Sequence, residues 1–182
     1  MLAHFDFQKT LQASAYLLKK ANKSMPYLKL LKLLYIADKE MLLEHGIVIT
    51  CDQYYAMPHG PVLSTTYDLI KGTGLPESST WRTYIITDNY QVKLVNDPGI
   101  EDLSEADTDM LDHVYDKYGQ WTSKRIENLT HDFPEWKNRP AAVSTSVLFT
   151  PEDILRENGC EDIIPAYQEH IEIAKELDML FS

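Results

Sequence analysis

The segment from Pro26 to Glu44 constrains the fold of this chain more than any other part of the sequence. At about 100° per residue, its charged residues share one limited sector of a helix, and apolar residues cover the rest of the circumference. The sector consists of Lys29, Lys32, Lys39, Glu40 and Glu44. A helix that is apolar around most of its surface belongs inside a bundle. We therefore predict a buried central helix over about residues 26–45, which Gly46 ends, with its lysine sector as a solvated edge.

The rest of the pattern predicts a mainly α fold of the α+β class, with a small β element at about 53–57 and 82–95. Further helices are expected over residues 7–21, 62–71, 103–118, 122–130, 150–158 and 164–180. Asp6, Ser104 and Thr122 have the residue types and positions of N-caps. Strand-like runs occupy residues 47–50, 53–57, 82–87 and 91–95, and the last two are joined through Asp88-Asn89 as a hairpin. The last helix is expected to be amphipathic, with Tyr167, Ile171, Ala174 and Leu177 on one face.

Composition indicates one globular domain. The chain has 182 residues, an apolar share of 44% and a charged share of 25%, which suit a single domain of ordinary size. It has only two cysteines, Cys51 and Cys160, and we expect free thiols in a reducing cytoplasm. Met1–Asp6 lacks the features of a signal peptide, and no apolar run reaches the roughly 18 residues of a membrane span. The prediction is a cytoplasmic protein whose residues 1–182 form one domain.

The charge of the chain bears on its partners. Its 17 basic and 28 acidic side chains give a formal net charge of −11. Binding to nucleic acid depends largely on lysines and arginines that displace counterions from phosphates. A strongly negative chain opposes that contact, whereas it attracts and steers basic proteins. The composition therefore favours a basic protein partner over nucleic acid.

The sequence contains few signs of catalysis. It has no glycine-rich phosphate loop, no nucleophile elbow and no zinc motif, and its six histidines lack metal-ligand spacing. We therefore expect no metal and no cofactor. Asp38 lies within the apolar face of the central helix, where a carboxylate requires partners such as loop amides, a basic side chain or a histidine. An acid–base unit of Asp38 with His59 and His131 is one interpretation; the favoured one is that Asp38 anchors the Pro58–Gly60 loop.

Three sequence blocks resemble the Panacea, or SocA-like, domain. Residues 29–38 read KLLKLLYIAD, and residues 54–62 read YYAMPHGPV, followed by Tyr67-Asp68-Leu69. A third block comprises Leu103-Ser104, Tyr118-Gly119, Leu129-Thr130-His131, Pro134 and Trp136. The order and spacing agree over roughly residues 8–140. Leu63 and Ile126 depart from the family pattern, but neither side chain can do chemistry. Residues 141–182 match less well and form an expected helical extension packed on the core.

The resemblance implies a non-enzymatic antitoxin that binds a cognate, adjacently encoded toxin, which the charge of this chain suggests is basic. One branch of the family instead delivers its toxin to a AAA+ protease, so an adaptor is the alternative; a hydrolase or transferase using Asp38 and His59 is the alternative from another class. The candidate partner contacts are Lys29, Lys32, Tyr35, His59 and Pro61, together with the segment after Ala141. The expected structural residues of the motifs are Asp38, Gly60, Thr130, His131 and Trp136.

Overall fold

The computed structural model describes residues 4–181. Met1–Ala3, which belong to the segment expected to lack a signal peptide, lie outside the described residues. Helices dominate this part of the chain. They are α1 (Phe7–Lys20), α2 (Tyr27–His45), α3 (Ser64–Lys71), α4 (Ser78–Tyr84), α5 (Glu105–Tyr118), α6 (Ser123–His131), α7 (Pro134–Lys137), α8 (Pro151–Glu157) and α9 (Ile164–Phe181). Short 3-10 turns occupy Pro140–Val143 and Glu161–Ile163.

The helices begin where the sequence places N-caps. The side chains of Asp6, Ser104 and Thr122 each accept a hydrogen bond from the backbone N–H three residues further along the chain. Such a bond satisfies one of the amide donors that the first turn of a helix leaves free. The three predicted caps are therefore confirmed.

Two small antiparallel sheets complete the fold. The strands are β1 (Ser24–Pro26), β2 (Tyr54–Met57), β3 (Gly60–Leu63), β4 (Ile85–Asp88), β5 (Gln91–Leu94) and β6 (Val147–Phe149). One sheet has the order β1-β5-β4 and the other the order β3-β2-β6. In the second sheet Tyr54 of β2 is opposite Leu63 of β3 on one side and Phe149 of β6 on the other. The predicted class, mainly α with a small β element, is confirmed.

Helix α2 is the centre of the core, as its sequence predicts. It contacts α1, α5, α6 and α8 as well as strand β3. Its apolar residues from Leu30 to Leu42 are almost completely buried. Gly46 ends the helix in the left-handed conformation with φ of 68°, where glycine has no steric cost.

The strand predicted over residues 47–50 does not form. The backbone N–H groups of Ile49 and Thr50 donate to the carboxylate of Asp38 at 2.8 and 3.1 Å. Those donors are consequently used by a side chain of α2 rather than by a neighbouring strand. The segment thus has strand-like composition but packs as an irregular loop against α2.

Two element boundaries also differ from the prediction. Residues Gly60–Leu63 form β3 rather than the start of a helix, and Pro61 is tolerated there because β3 is an edge strand. Residues 82–84, predicted as strand, continue helix α4. Trp81 in α4 is fully buried, and this burial outweighs the local preference of the following residues for strand.

The region after Ala141 contains both a strand and an exposed helix. Strand β6, which the sequence pattern did not reveal, pairs with β2. Helix α9 buries Tyr167 and Ile171, but Leu177 is 49% exposed and Ala174 is exposed as well. The predicted apolar face is therefore buried only in its first half, and after Ile171 every described residue except Lys175 is exposed.

Candidate partner-binding site

The turn between β2 and β3 is where the three sequence blocks meet. Met57 and Gly60 form the last residue pair of the hairpin, with Pro58 and His59 exposed at its tip. Gly60 has φ of 95°, and a Cβ atom on it would lie 2.5 Å from Thr130 Oγ1. Only glycine fits this position without strain or displacement of α6.

Lys32 of α2 bonds to the first residues of β3, directly after the turn. It is fully buried, and its Nζ donates to the carbonyl oxygen of Pro61 at 2.7 Å. Burial lowers the pKa of Lys32 to about 7, although the negative charge of Glu127 acts in the opposite direction. The expectation that Lys32 belongs to a solvated edge is therefore wrong. Pro61 itself is buried, so neither residue presents an exposed side chain to a partner in the free protein.

His59 is the exposed side chain of the turn. Its imidazole is 72% exposed, and Nδ1 lies 3.3 Å from Oε1 of Glu127, whose side chain is only 8% exposed. Lys124 donates to the same oxygen at 3.0 Å. Burial opposes the charge of Glu127, but the hydrogen bonds from Lys124 and His59 outweigh it and lower the pKa of the carboxyl. Glu127 thus gives the exposed His59 ring a contact with α6.

His131 and Trp136 fix the other side of the turn. Nε1 of Trp136 donates to the carbonyl oxygen of Met57 at 2.8 Å, and Nε2 of His131 lies 3.1 Å from the carbonyl oxygen of Pro58. The two rings stack with centroids 4.1 Å apart. Partial burial lowers the pKa of His131. A donating Nε2 on a neutral ring fits this arrangement.

Together these residues form a rigid surface feature that we call the turn platform. It consists of Met57–Gly60 with the supporting side chains Lys32, Glu127, Thr130, His131 and Trp136. Its two turn carbonyls and its histidine are all engaged by side chains of other elements. A partner that binds here meets a preformed shape, with Pro58 and His59 at its tip.

Asp38 does not belong to this platform. Besides the amides of Ile49 and Thr50, it accepts hydrogen bonds from the hydroxyls of Thr50 and Tyr54. It is 1% exposed, and burial raises its pKa to about 6 while these hydrogen bonds lower it. The prediction that Asp38 anchors the Pro58–Gly60 loop is wrong, since it anchors residues 49–50. The alternative acid–base unit with His59 and His131 is likewise not formed.

Lys29, Lys39 and Tyr35 also lie in or near the interior, whereas Glu44 of the same sector is exposed. Lys39 is 6% exposed, so its expected place on a solvated edge is wrong, whereas Tyr35, expected on the apolar part of the helix, is fully buried. Lys29 is partly buried, and its Nζ donates to the carbonyl oxygen of Gly119. Burial lowers the pKa of Lys29 and of Lys39. The roles of Lys29 and Tyr35 as partner contacts stay predictions, and in the free chain both side chains are hydrogen-bonded within the fold.

A buried carboxylate that sequence reasoning missed explains Tyr35 and Lys39. Glu135 is fully buried and accepts from Lys39 Nζ at 2.8 and 2.9 Å and from the Tyr35 hydroxyl at 2.7 Å. Asn158 after α8 donates to it at 3.1 Å. Lys39 Nζ also lies 3.8 Å from the ring centroid of Phe133. Glu135 therefore joins α2, α7 and α8. Only the motif position of Trp136 beside it pointed to this region.

We also searched the described residues for metal sites, reactive thiols and membrane-spanning helices. Between residues 4 and 181 no group of three or more histidine, cysteine, aspartate or glutamate side chains could hold a metal ion. Cys51 and Cys160 are free thiols, and burial raises the pKa of Cys51 to about 12. Among the described helices, none is long and apolar enough to cross a membrane.

Comparison with known proteins assigns the family. The sequence profile described as "Antitoxin SocA-like, Panacea domain" matches residues 30–137, from the first turn of α2 to the end of α7. The comparisons with curated proteins and with solved structures gave no match. The matched stretch covers more than half of the chain and contains every residue of the turn platform, as well as Asp38 and Glu135. The chain therefore belongs to the SocA-like antitoxin family and carries its Panacea domain.

Proposed function

We propose that this protein is an antitoxin that neutralises a cognate toxin by binding it directly. The family match supports the antitoxin role, and the turn platform is the observation that carries the proposal of direct binding. The residues that build it come from all three sequence blocks, yet they serve to hold one exposed turn in place. An exposed turn that is fixed by surrounding side chains suits recognition of another protein.

The rigidity of the turn platform favours binding. Ordering a mobile loop during association costs free energy that a preformed loop does not lose. In the free chain, the carbonyl groups of Met57 and Pro58 are already engaged by Trp136 and His131, and the His59 ring contacts Glu127. The partner contacts that we propose are therefore His59 and Pro58, with Lys124 beside them.

The charge of the chain indicates what kind of toxin it binds. A formal charge of −11 attracts a basic protein and accelerates the encounter, mainly through long-range steering. We place the complex in the cytoplasm, where free thiols such as Cys51 and Cys160 persist. The toxin of this proposal is basic and encoded beside the antitoxin.

Co-expression tests the proposal. The protein encoded by the adjacent gene is expressed in cells alone and together with this chain, and growth and co-purification are both scored. Restored growth with a stable complex is the expected result. Restored growth without a complex would replace direct neutralisation by delivery of the toxin to a protease. Arrested growth in the presence of this chain would refute the antitoxin proposal.

A variant at the tip of the turn locates the interface. We expect His59→Ala to weaken the complex about tenfold, because it removes the exposed ring that the platform presents. His45→Ala is the matched control, since His45 is also exposed and lies beside a carboxylate, that of Glu44. If His59→Ala binds the toxin with the affinity of wild type, the interface lies away from the turn platform.

A further inference from the structure

Helix α9 has a second apolar face that no part of the described chain covers. Ile173, Leu177, Leu180 and Phe181 follow the spacing i, i+4, i+7 and i+8, which places them on one side of a helix. Their exposures are 50%, 49%, 77% and 85%. The buried residues Tyr167 and Ile171 lie about 115° around the helix from the centre of these four residues. We call the four exposed residues the α9 stripe.

The α9 stripe is large enough to form the centre of an interface. With roughly 180 Å² available to each large apolar side chain, the four residues expose about 500 Å². Apolar patches of this size on soluble proteins are often functional. A stable complex buries about 800 Å² on each partner, with an apolar centre and a polar rim. The stripe supplies much of such a centre.

Acidic residues form the rim on one side of the stripe. Glu169, Glu172 and Glu176 are exposed and, at about 100° per residue, lie together along one edge of it. Glu172 also lines a cleft of about 300 Å³ between α8 and α9, to which Glu152 contributes. The three exposed carboxylates suit lysine or arginine side chains of a partner that lies on the stripe.

The same charges disfavour a second copy of this chain as the occupant. Residues Ile164–Phe181 contain four acidic side chains and one lysine, so with His170 neutral the helix has a net charge of −3. Pairing two such helices brings like charges together, in chains that each carry −11 overall. An apolar surface with an acidic rim is complemented by an apolar surface with a basic rim.

We infer that the α9 stripe docks a basic amphipathic helix of a partner protein, with apolar side chains on the stripe and basic ones along Glu169, Glu172 and Glu176. This inference rests on the proposed function for its partner, which is the toxin. It adds a second contact, separate from the turn platform and outside the family-matched stretch. The mode is helix-on-helix recognition through anchors spaced by three and four residues.

The affinity of the full chain for the toxin tests the inference. We expect Leu177→Ser/Leu180→Ser to raise Kd at least tenfold, and Glu172→Lys/Glu176→Lys to raise it and weaken its dependence on salt. The matched control is Ile100→Ser/Val143→Ser, because these residues are 46% and 65% exposed elsewhere on the protein. Circular dichroism checks that all variants fold. Toxin affinity equal to wild type for the Leu177/Leu180 variant would overturn the inference and leave the proposed function intact.

Two further measurements separate failure of the inference from failure of the proposed function. If the wild-type chain does not bind the toxin, a synthetic helical peptide with leucines on one face and lysines beside them replaces it as the probe. Binding of this peptide to wild type but at least tenfold weaker to Leu177→Ser/Leu180→Ser supports the docking surface; equal binding overturns it. Light scattering should show a monomer. A dimer abolished by Leu177→Ser/Leu180→Ser would assign the stripe to a second copy instead.

Discussion

The buried pair of Lys39 and Glu135 gives the sharpest test of what holds this fold together. Removing one partner of a buried ion pair leaves the other charge uncompensated, which typically costs about 3–5 kcal/mol. Lys39 and Glu135 are 6% and 0% exposed and are joined at 2.8 and 2.9 Å. We therefore expect Glu135→Gln and Lys39→Met each to lower the free energy of unfolding by about 3–5 kcal/mol.

The double variant distinguishes a true pair from two independent contributions. Without Lys39 there is no buried cation, and a glutamine at position 135 still accepts from the hydroxyl of Tyr35. We expect Lys39→Met/Glu135→Gln to be less destabilised than the sum of the single variants by about 2–3 kcal/mol, the upper range for coupled residues. Guanidinium denaturation at pH 7, followed by circular dichroism and tryptophan fluorescence, measures all four free energies.

The surface pair of Lys19 and Asp97 is the control for this cycle. Its ions are 2.9 Å apart, but the side chains are 34% and 57% exposed. Solvent screening reduces such pairs to about 0–1 kcal/mol, so the equivalent cycle should show coupling below about 0.5 kcal/mol. Additive losses in the Lys39/Glu135 cycle, within about 0.5 kcal/mol, would refute the claim that this pair stabilises the junction of α2, α7 and α8.

Three further variants probe the interior and the turn platform. Burial raises the pKa of Asp38 from 3.8 to about 6, so between these pH values the folded chain keeps a proton that the unfolded chain releases. The free energy of unfolding of wild type should therefore fall by about 3 kcal/mol as the pH rises from about 4 to 6.5. Denaturation of Asp38→Asn should lack this fall, and a pH dependence equal to that of wild type would contradict the reasoning. Gly60 has φ of 95°, and an added Cβ would lie 2.5 Å from Thr130 Oγ1, so Gly60→Ala should lower the free energy of unfolding by about 2 kcal/mol or more in thermal denaturation. An unchanged melting temperature would show that α6 moves to accommodate the Cβ. Trp136→Phe removes the donor to the Met57 carbonyl, so we expect a loss of about 1 kcal/mol and faster hydrogen exchange in the turn; exchange equal to wild type would mean that the other supports suffice.

Features with local causes were predictable from the sequence. The caps at Asp6, Ser104 and Thr122 and the end of α2 at Gly46 depend on residues within one helical turn. The burial of α2 follows from its apolar circumference. The need of Asp38 for partners was also predictable, and loop amides were among those expected, but the loop that supplies them was not.

Features that depend on distant pairing could not be read from one sequence. Lys39 and Glu135 are separated by 96 residues, and no pattern in either segment indicates that they meet. On a helical projection Lys39 has the same polar character whether it faces water or a buried carboxylate. Strand β6 has three residues, too few for a clear alternation, and forms because β2 offers it a free edge.

The lysines of α2 show why polar residues mislead in a family of this kind. Lys32 and Lys39 are each buried with one specific oxygen partner, the Pro61 carbonyl and the Glu135 carboxylate respectively. Each joins α2 to a segment far along the chain. Polar contacts of this kind fix relative positions more strictly than apolar packing does, because an unpaired buried charge is costly. In the free chain, Lys32 of the first block and Lys39 directly after it therefore hold the scaffold together.

If the scaffold is held by these interior contacts, the surfaces that choose a partner must lie elsewhere. The described exposed features with a definite chemistry are the tip of the turn platform and the α9 stripe with its acidic rim. The first lies within the family-matched stretch and the second outside it. Substitutions on the α9 stripe remove exposed apolar atoms and leave the interior bonds of Lys32, Lys39 and Glu135 unchanged. If the proposed docking on the stripe is correct, the partner that binds there can therefore change without loss of the fold.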